Sequence, residues 1–345
     1  MSRRPIRILL ALCLLAGCSK PTKAPYVPPV DSVNIIDGWP SWSPDGRYIY
    51  FNHNGRDTLE FRRYGQISIW AYDTQTKKCG SLVGPGHLAK SNPHGTILAF
   101  NWGQTLLFYY FDSRTGRQVS YVSDLYEFDW SPSGQSIILK LGGRLLDNLG
   151  NVYDTLQPID SSEGGWRGAG DAHWYSDNRI LVVSARYPSD SRRRTGILIL
   201  DTLGQILDTV AIDDSPRANL GGFSYLNMSP DQTTIIASYS YVTSDGYSHG
   251  DFRQYGLNGT LIRIISPEAG MGRWSPDGSK IVFQKYTFMG HSPYPDLYPD
   301  YGRVTPWICN ADGSDMQELL GWPQPAQDSA MFDGGYNWVT DTYAP

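Results

Sequence analysis

Six polar residues recur at one place in this chain. Ser41, Lys90, Asp129, His173, Asn227 and Arg273 each stand directly before Trp42, Ser91, Trp130, Trp174, Met228 and Trp274. Asn337, before Trp338, extends the series. Neighbouring residues of a strand face opposite ways, so a mostly aromatic series that packs inward leaves the polar series facing a shared space. Asp129 and His173 are acid–base groups, and Lys90 and Arg273 stabilise negative charge. Gathered within hydrogen-bond reach, the four could act as general acid and base. Scattered, they are the solvated edge of a channel. The six positions are therefore candidate binding residues. No residue is assigned a catalytic role, and neither a metal nor a cofactor is expected.

A second set lies in four long segments, 53–66, 186–195, 240–251 and 285–304. These carry Arg62, Arg63 and Tyr64; Tyr187 and Arg193; Tyr241, Tyr247 and His249; and Tyr286, Tyr294 and Tyr298. Tyr and Arg are enriched at interface hot spots, and functional groups gather on loops held by rigid scaffolds. The segments predict a binding face. Ordinary loop insertion, which costs little, is the alternative.

Other chemistries lack their residues. There is no G-x-S-x-G elbow, no H-E-x-x-H and no i,i+4 pair among the six His. Asp312 and Asp315 flank Gly313 without the rest of a calcium loop. No Walker or dinucleotide glycine pattern is present.

The elements that position the polar series come from a repeat. Trp42-Ser-Pro-Asp-Gly46, Trp130-Ser-Pro-Ser-Gly134 and Trp274-Ser-Pro-Asp-Gly278 each precede a strand-like apolar run. Weaker copies begin at Asn92, Trp174 and Met228. The Pro position falls at 44, 93, 132, 176, 230 and 276, at intervals of 39 to 54 residues. That is the length of one four-stranded propeller blade. Pro presets φ, Asp bonds its own backbone and Gly accepts positive φ, so the motif is a turn with a mechanism. A second turn follows in phase, at Asp73, Asp112, Asp147, Asp201, Gly256 and Asn310. Each copy reads as strand a, the Pro-Asp-Gly turn, strand b, a variable loop, strand c, the second turn, and strand d.

These motifs resemble the TolB-type, WD-like β-propeller repeat, over roughly residues 38–321. The resemblance implies an all-β propeller of four-stranded blades. It implies no activity, because such propellers bind, scaffold or flank catalysts. Two blade counts are open. Gly335–Asp341 looks like a further strand a, and Val33–Ile36 like a lone strand. Six blades with a closing strand is the preferred reading, and seven with one composite blade the alternative.

The N-terminus reads as an address. Arg3, Arg4 and Arg7 precede an apolar run over 8–16, too short to span a bilayer. Leu15-Ala-Gly-Cys18 resembles the lipobox of bacterial lipoproteins, which implies cleavage after residue 17 and acylation of Cys18. Ser19 after it suggests the outer membrane. Residues 18–32 are a Pro-rich tether, and 33–345 a single propeller domain. Cys79 and Cys309 are left for the body, either as a disulfide or as separate buried thiols.

Composition agrees. Of 345 residues, 36 are Gly and 23 Pro, too many turn formers for a helical bundle. Formal charge is −5, and the signal's three Arg mask a more acidic body, which argues against nucleic acid. The sequence predicts a membrane-anchored propeller in the periplasm, binding an envelope protein or a glycan such as peptidoglycan through the loops and channel mouth. The alternative is a glycan lyase or hydrolase with its site in the channel.

Overall fold

The computed structural model describes residues 35–53, 67–121, 127–139, 144–156, 165–186, 194–213, 222–242, 248–290, 301–320 and 337–338. The described residues contain strands and turns and no helix. Blade 1 is β1 (Ile35–Trp42), β2 (Tyr48–His53), β3 (Ser68–Asp73) and β4 (Cys79–Val83). Blade 2 is β5 (His87–Ser91), β6 (Ile97–Trp102), β7 (Thr105–Tyr110) and β8 (Thr115–Tyr121). Blade 3 is β9 (Phe128–Trp130), β10 (Ser136–Leu139), β11 (Arg144–Asp147) and β12 (Val152–Thr155). Blade 4 is β13 (Trp166–Ser176), β14 (Arg179–Arg186), β15 (Arg194–Asp201) and β16 (Ile206–Asp213). Blade 5 is β17 (Gly222–Met228), β18 (Thr234–Val242), β19 (Ser248–Gly256) and β20 (Leu261–Pro267). Blade 6 is β21 (Ala269–Trp274), β22 (Lys280–Gly290), β23 (Tyr301–Asn310) and the short β24 (Gln317–Glu318). A last strand, β25 (Asn337–Trp338), lies elsewhere.

The chain is a six-bladed propeller. The seven-blade alternative fails on β25. It pairs in parallel with β8, at the outer edge of blade 2, so Asn337 belongs to no inner strand. Nor is the N-terminal segment a lone strand. Ile35 and Ile36 open β1 and pair in parallel with Arg303 and Val304 of β23. Glu318 and Gln317 pair with Trp307 and Ile308 further along the same strand. Both ends of the repeat thus supply the outer edge of blade 6, which closes the ring.

A four-stranded blade buries neither face alone, so the core is divided among the blade interfaces. Leu88, Phe108, Phe128 and Ile137 pack between blades 2 and 3. Ile49, Phe51, Trp70 and Val282 pack between blades 6 and 1. Comparable clusters fill the other four interfaces. Apolar burial at ~25 cal/mol per Å² therefore stabilises the ring as a whole rather than any blade by itself.

The two turn motifs lock adjacent blades. Gly46 faces the Pro276 ring, Gly95 faces Pro44, Gly134 faces Pro93 and Gly278 faces Pro230, so the a–b turns of blades 1, 2, 3 and 6 each rest on the turn of the blade before. The c–d turns reach the neighbouring edge strand: Gly259 approaches Val210 of β16 so closely that a Cβ would collide with its carbonyl oxygen. The b–c connections are shorter than expected in blades 5 and 6. β18 and β19 stay paired out to Val242 and Ser248, and β22 and β23 out to Gly290 and Tyr301. Cys79 and Cys309 are both buried and unpaired, so the disulfide alternative fails.

Gly259→Ala should lower folding stability by about 2 kcal/mol or more, because its φ of 78° and the Val210 carbonyl both exclude a side chain. Gly103→Ala, at φ 58° with open space around it, should cost about 1 kcal/mol. Urea unfolding of both variants checks the order; equal losses would remove the c–d turn as a blade lock.

Candidate functional site

The inner strands carry a feature that the repeat does not advertise. Trp39, Leu88, Tyr225 and Met271 adopt left-handed φ of 51° to 56°, two residues before Ser41, Lys90, Asn227 and Arg273. Register shifts mark a bulge at each place. Bulges re-aim the residues after them. Three are held by a side chain of the preceding blade: the N–H of Trp39 donates to Gln284 Oε1 (3.0 Å), that of Leu88 to Asn52 Oδ1 (2.9 Å) and that of Met271 to Ser238 Oγ (2.9 Å). Beside the bulge at Tyr225, the Leu226 N–H donates to Asp171 Oδ2 (2.8 Å).

Past the bulges, the two series separate. Trp42, Trp130, Trp174 and Trp274 wedge into the blade interfaces. Trp42 Nε1 donates to the Arg273 carbonyl and Trp130 Nε1 to the Lys90 carbonyl, each at 3.2 Å. The polar residues meet one another around the axis. Ser41 donates to the Ala89 carbonyl (2.5 Å). Lys90 Nζ lies 3.2 Å from Asp129 Oδ1, and His173 Nδ1 lies 2.8 Å from Asp129 Oδ2. Asp129 Oδ2 also accepts the Trp174 N–H (3.3 Å), as Asn227 Oδ1 accepts the Trp274 N–H (2.9 Å).

Two acids complete the network. Glu127 lies 3.3 Å from Lys90 Nζ and forms an ion pair with Arg273. Blades 3 and 6 are opposite in a ring of six, so this pair crosses the channel. Asp171 Oδ1 lies 3.8 Å from His173 Nε2. Neither acid belongs to the polar series that precedes the Trp positions. Both stand two residues before a ring position, on the same side of the strand. That spacing was the available signal, since the other copies hold large apolar residues or a bulge there.

The electrostatics are settled by pairing. Burial pushes the Asp129 carboxyl up, but Lys90, His173 and Arg273 outweigh it and hold the group well below the ordinary carboxylate range. The Tyr225 phenol is pushed up to about 12 by burial and by the charges of Glu127 and Asp171. Asp129 therefore stays ionised, and both its oxygens are taken.

Above this floor is a cup of about 360 Å³, walled by Trp42, Trp130, Trp274, Pro44, Pro93 and Pro276. It opens on the face of the Pro-Asp-Gly turns, opposite the b–c loops. Below the floor, Trp39, Leu88 and Met271 close around Glu127 and Arg273, leaving only about 10 Å³. The channel mouth and the b–c loops, expected to act together, are thus on opposite faces. Arg62, Arg63, Tyr64, Tyr187, Arg193, Tyr247, Tyr294 and Tyr298 lie outside the described residues, as does Cys18.

No family profile and no curated protein matches the chain. Solved structures resemble it in fold. A protein assigned as TolB from Agrobacterium tumefaciens aligns at 16% identity over 73% of this chain and 87% of its own, with a TM-score of 0.48. The propeller domain of the Trilobed protease from Pyrococcus furiosus aligns at 12% over 83% of each chain, with a TM-score of 0.48. An oligogalacturonate lyase from Vibrio parahaemolyticus aligns at 12% over 88% and 83%, with a TM-score of 0.45.

A carboxylate held below its ordinary range stabilises the fold above its unfolded pKa of ~4, and that contribution drains away as pH falls through and below that value. Asp129→Asn should cost about 3 kcal/mol at pH 7 by leaving Lys90 and His173 without their shared anion. Between pH 5 and pH 3 the variant should lose stability less steeply than the parent. Parallel urea titrations at these pH values check this; identical slopes would mean that Asp129 carries none of the acid sensitivity.

Proposed function

We propose that this protein is a lipid-anchored envelope propeller that binds a ligand, a protein segment or a glycan, in the cup on its turn face and does not turn it over. One observation carries the reading: the ionisable groups of the floor are committed to one another beneath an open aromatic and proline wall. Asp129 has no proton to give, and its oxygens are occupied by Lys90, His173 and the Trp174 N–H. A general acid needs a transferable proton and a general base an open lone pair. A pre-organised polar floor under an apolar wall suits binding, where few polar groups orient a ligand and the walls supply contact area.

The enzyme reading keeps one supporting observation. Lys90, Asp129 and His173 meet within hydrogen-bond distance, which is the convergence expected of channel chemistry. Turnover would then require a ligand that displaces Lys90 or His173 from Asp129.

Ser91 lines the cup at the position where four other copies hold Trp. Ser91→Phe should weaken binding at least tenfold with the thermal midpoint nearly unchanged. Purified peptidoglycan fragments and cross-linked envelope proteins, offered to the mature chain, supply the measurement. A second variant replaces only 291–300 by a Gly-Ser linker, because 285–290 and 301–304 are paired strand. Binding lost in the linker variant and kept in Ser91→Phe would overturn the cup. Shortened glycan products would overturn the binding reading in favour of the enzyme.

A further inference from the structure

We propose that the outer rim of blades 4 and 5 is a self-association surface, through which two copies of this chain meet side by side about a two-fold axis parallel to the propeller axis.

The described residues expose twelve large apolar side chains, and ten of them sit on the c–d turns and outer strands of three adjacent blades, 3, 4 and 5. Leu149 and Leu203 tip two of the turns, at 58% and 75% exposure. Past the turns come Val152 and Tyr153 in β12, Ile206 and Leu207 in β16, and Leu261 and Ile262 in β20, all 38% to 54% exposed. The repeat does not require this. Exposed outer-strand positions of blades 1, 2 and 6 hold Ser81, Arg117, Gln118 and Gln317. The rim thus divides into halves. It is polar where β25, β1 and β24 close the ring, and apolar where β12, β16 and β20 remain the outermost strands. The ten side chains together expose roughly 900 Å², above the ~300–600 Å² of the largest apolar patch on an ordinary monomer.

A bulge in each of these strands puts the apolar pairs in solvent. Val152 pairs with Leu146 and Asp154 with Leu145, so Tyr153 is skipped, and Leu207 and Ile262 are skipped in the same way. Two residues then oppose one, and the ladder is interrupted. A bulged edge resists the addition of a further strand. Strand β8 shows the contrast: it is regular over 115–118, and β25 adds there. What covers the apolar rim therefore packs on its side chains and does not extend its sheets.

The patch is its own complement in shape, height and charge. In a ring of six, two adjacent blades form a flat side, so two copies can meet over two blades each. Tyr153, Leu207 and Ile262 each lie two residues past the c–d turn that closes at Asn151, Gln205 or Thr260. The apolar band therefore sits at one height, near the turn face. An inverted copy would carry its band at the opposite end, so band meets band only when both turn faces point the same way. A two-fold axis parallel to the propeller axis achieves this and sets blade 4 of each copy against blade 5 of the other. The residue after each bulge selects the side, because Asp154, Asp208 and Arg263 stand at equivalent register. Joined through blades 3 and 4, Asp154 would stand at the height of Asp208, acid beside acid. Joined through blades 4 and 5, Asp208 stands at the height of Arg263, and the charges are opposite. Covering the seven exposed apolar side chains of blades 4 and 5 hides roughly 600 Å² on each copy, most of the ~800 Å² per partner that a specific interface buries. Both cups then open in one direction.

Light scattering on the mature chain should give the mass of two copies, and the double variant Leu207→Asp with Ile262→Asp should halve it. Both residues are exposed, so the thermal midpoint should change little. Orientation is read by mixing chains that carry Leu207→Cys with chains that carry Ile262→Cys and adding a short bis-maleimide. All these chains also carry Cys18→Ser, and Cys79 and Cys309 are buried, so the introduced thiol is the reactive one. The mixture should give linked dimers at a yield at least fivefold above either variant alone. The mass of a single copy for the parent chain at micromolar concentration would overturn the proposal. So would a mass unmoved by the Asp substitutions, or equal linking in the unmixed variants.

Discussion

The structure depends most on an ion pair that crosses its axis. Arg273 of blade 6 meets Glu127 of blade 3, and Lys90 of blade 2 shares that carboxylate. All three are buried. A buried charge left alone costs several kcal/mol, so each member is tolerable only while the others are in place. The arrangement requires blades 2, 3 and 6 to stand at their positions around the ring at once. It also ends the channel: what begins as a cup on the turn face stops at this pair and is not a pore.

Around this centre, blades are joined by three layers of contact. Near the axis, ring residues reach to the next blade, through Lys90 to Asp129, Asp129 to His173 and Trp174, and Asn227 to Trp274. Further out, the Trp wedges and the apolar clusters fill each interface. On the turn face, Gly meets the Pro of the blade before. Closure adds the composite edge of blade 6, built from Ile35–Ile36 and Gln317–Glu318. The same polar groups that give the cup its floor are thus also what ties the blades.

Much of this was legible in the sequence. The Trp-Ser-Pro-Asp-Gly motif and the second turn marked every a–b and c–d turn, because each demands particular residues at particular backbone angles. The alternation of Trp with a polar residue separated wedge from ring. What escaped was long-range. The bulges at Trp39, Leu88, Tyr225 and Met271 are made by large residues without a turn signature, and three are held by side chains of the preceding blade. Glu127 has no signature in the sequence, because its partners are 37 and 146 residues away and no local pattern connects them. Gly335–Asp341 resembles an inner strand, but its local pattern does not say which edge Asn337 and Trp338 join. The loop residues were chosen by composition, which names a chemistry without a geometry.

If the centre is a single interlocked charge network, Arg273 and Glu127 must be energetically coupled across the channel. A double-mutant cycle with Arg273→Met, Glu127→Gln and the pair of changes together, read by urea unfolding, measures that coupling directly. The network predicts that the double variant is more stable than the sum of the single losses allows, by about 2 kcal/mol or more, since removing both charges leaves neither unpaired. Additive losses would contradict it, and with it the picture of a channel closed by its own charges.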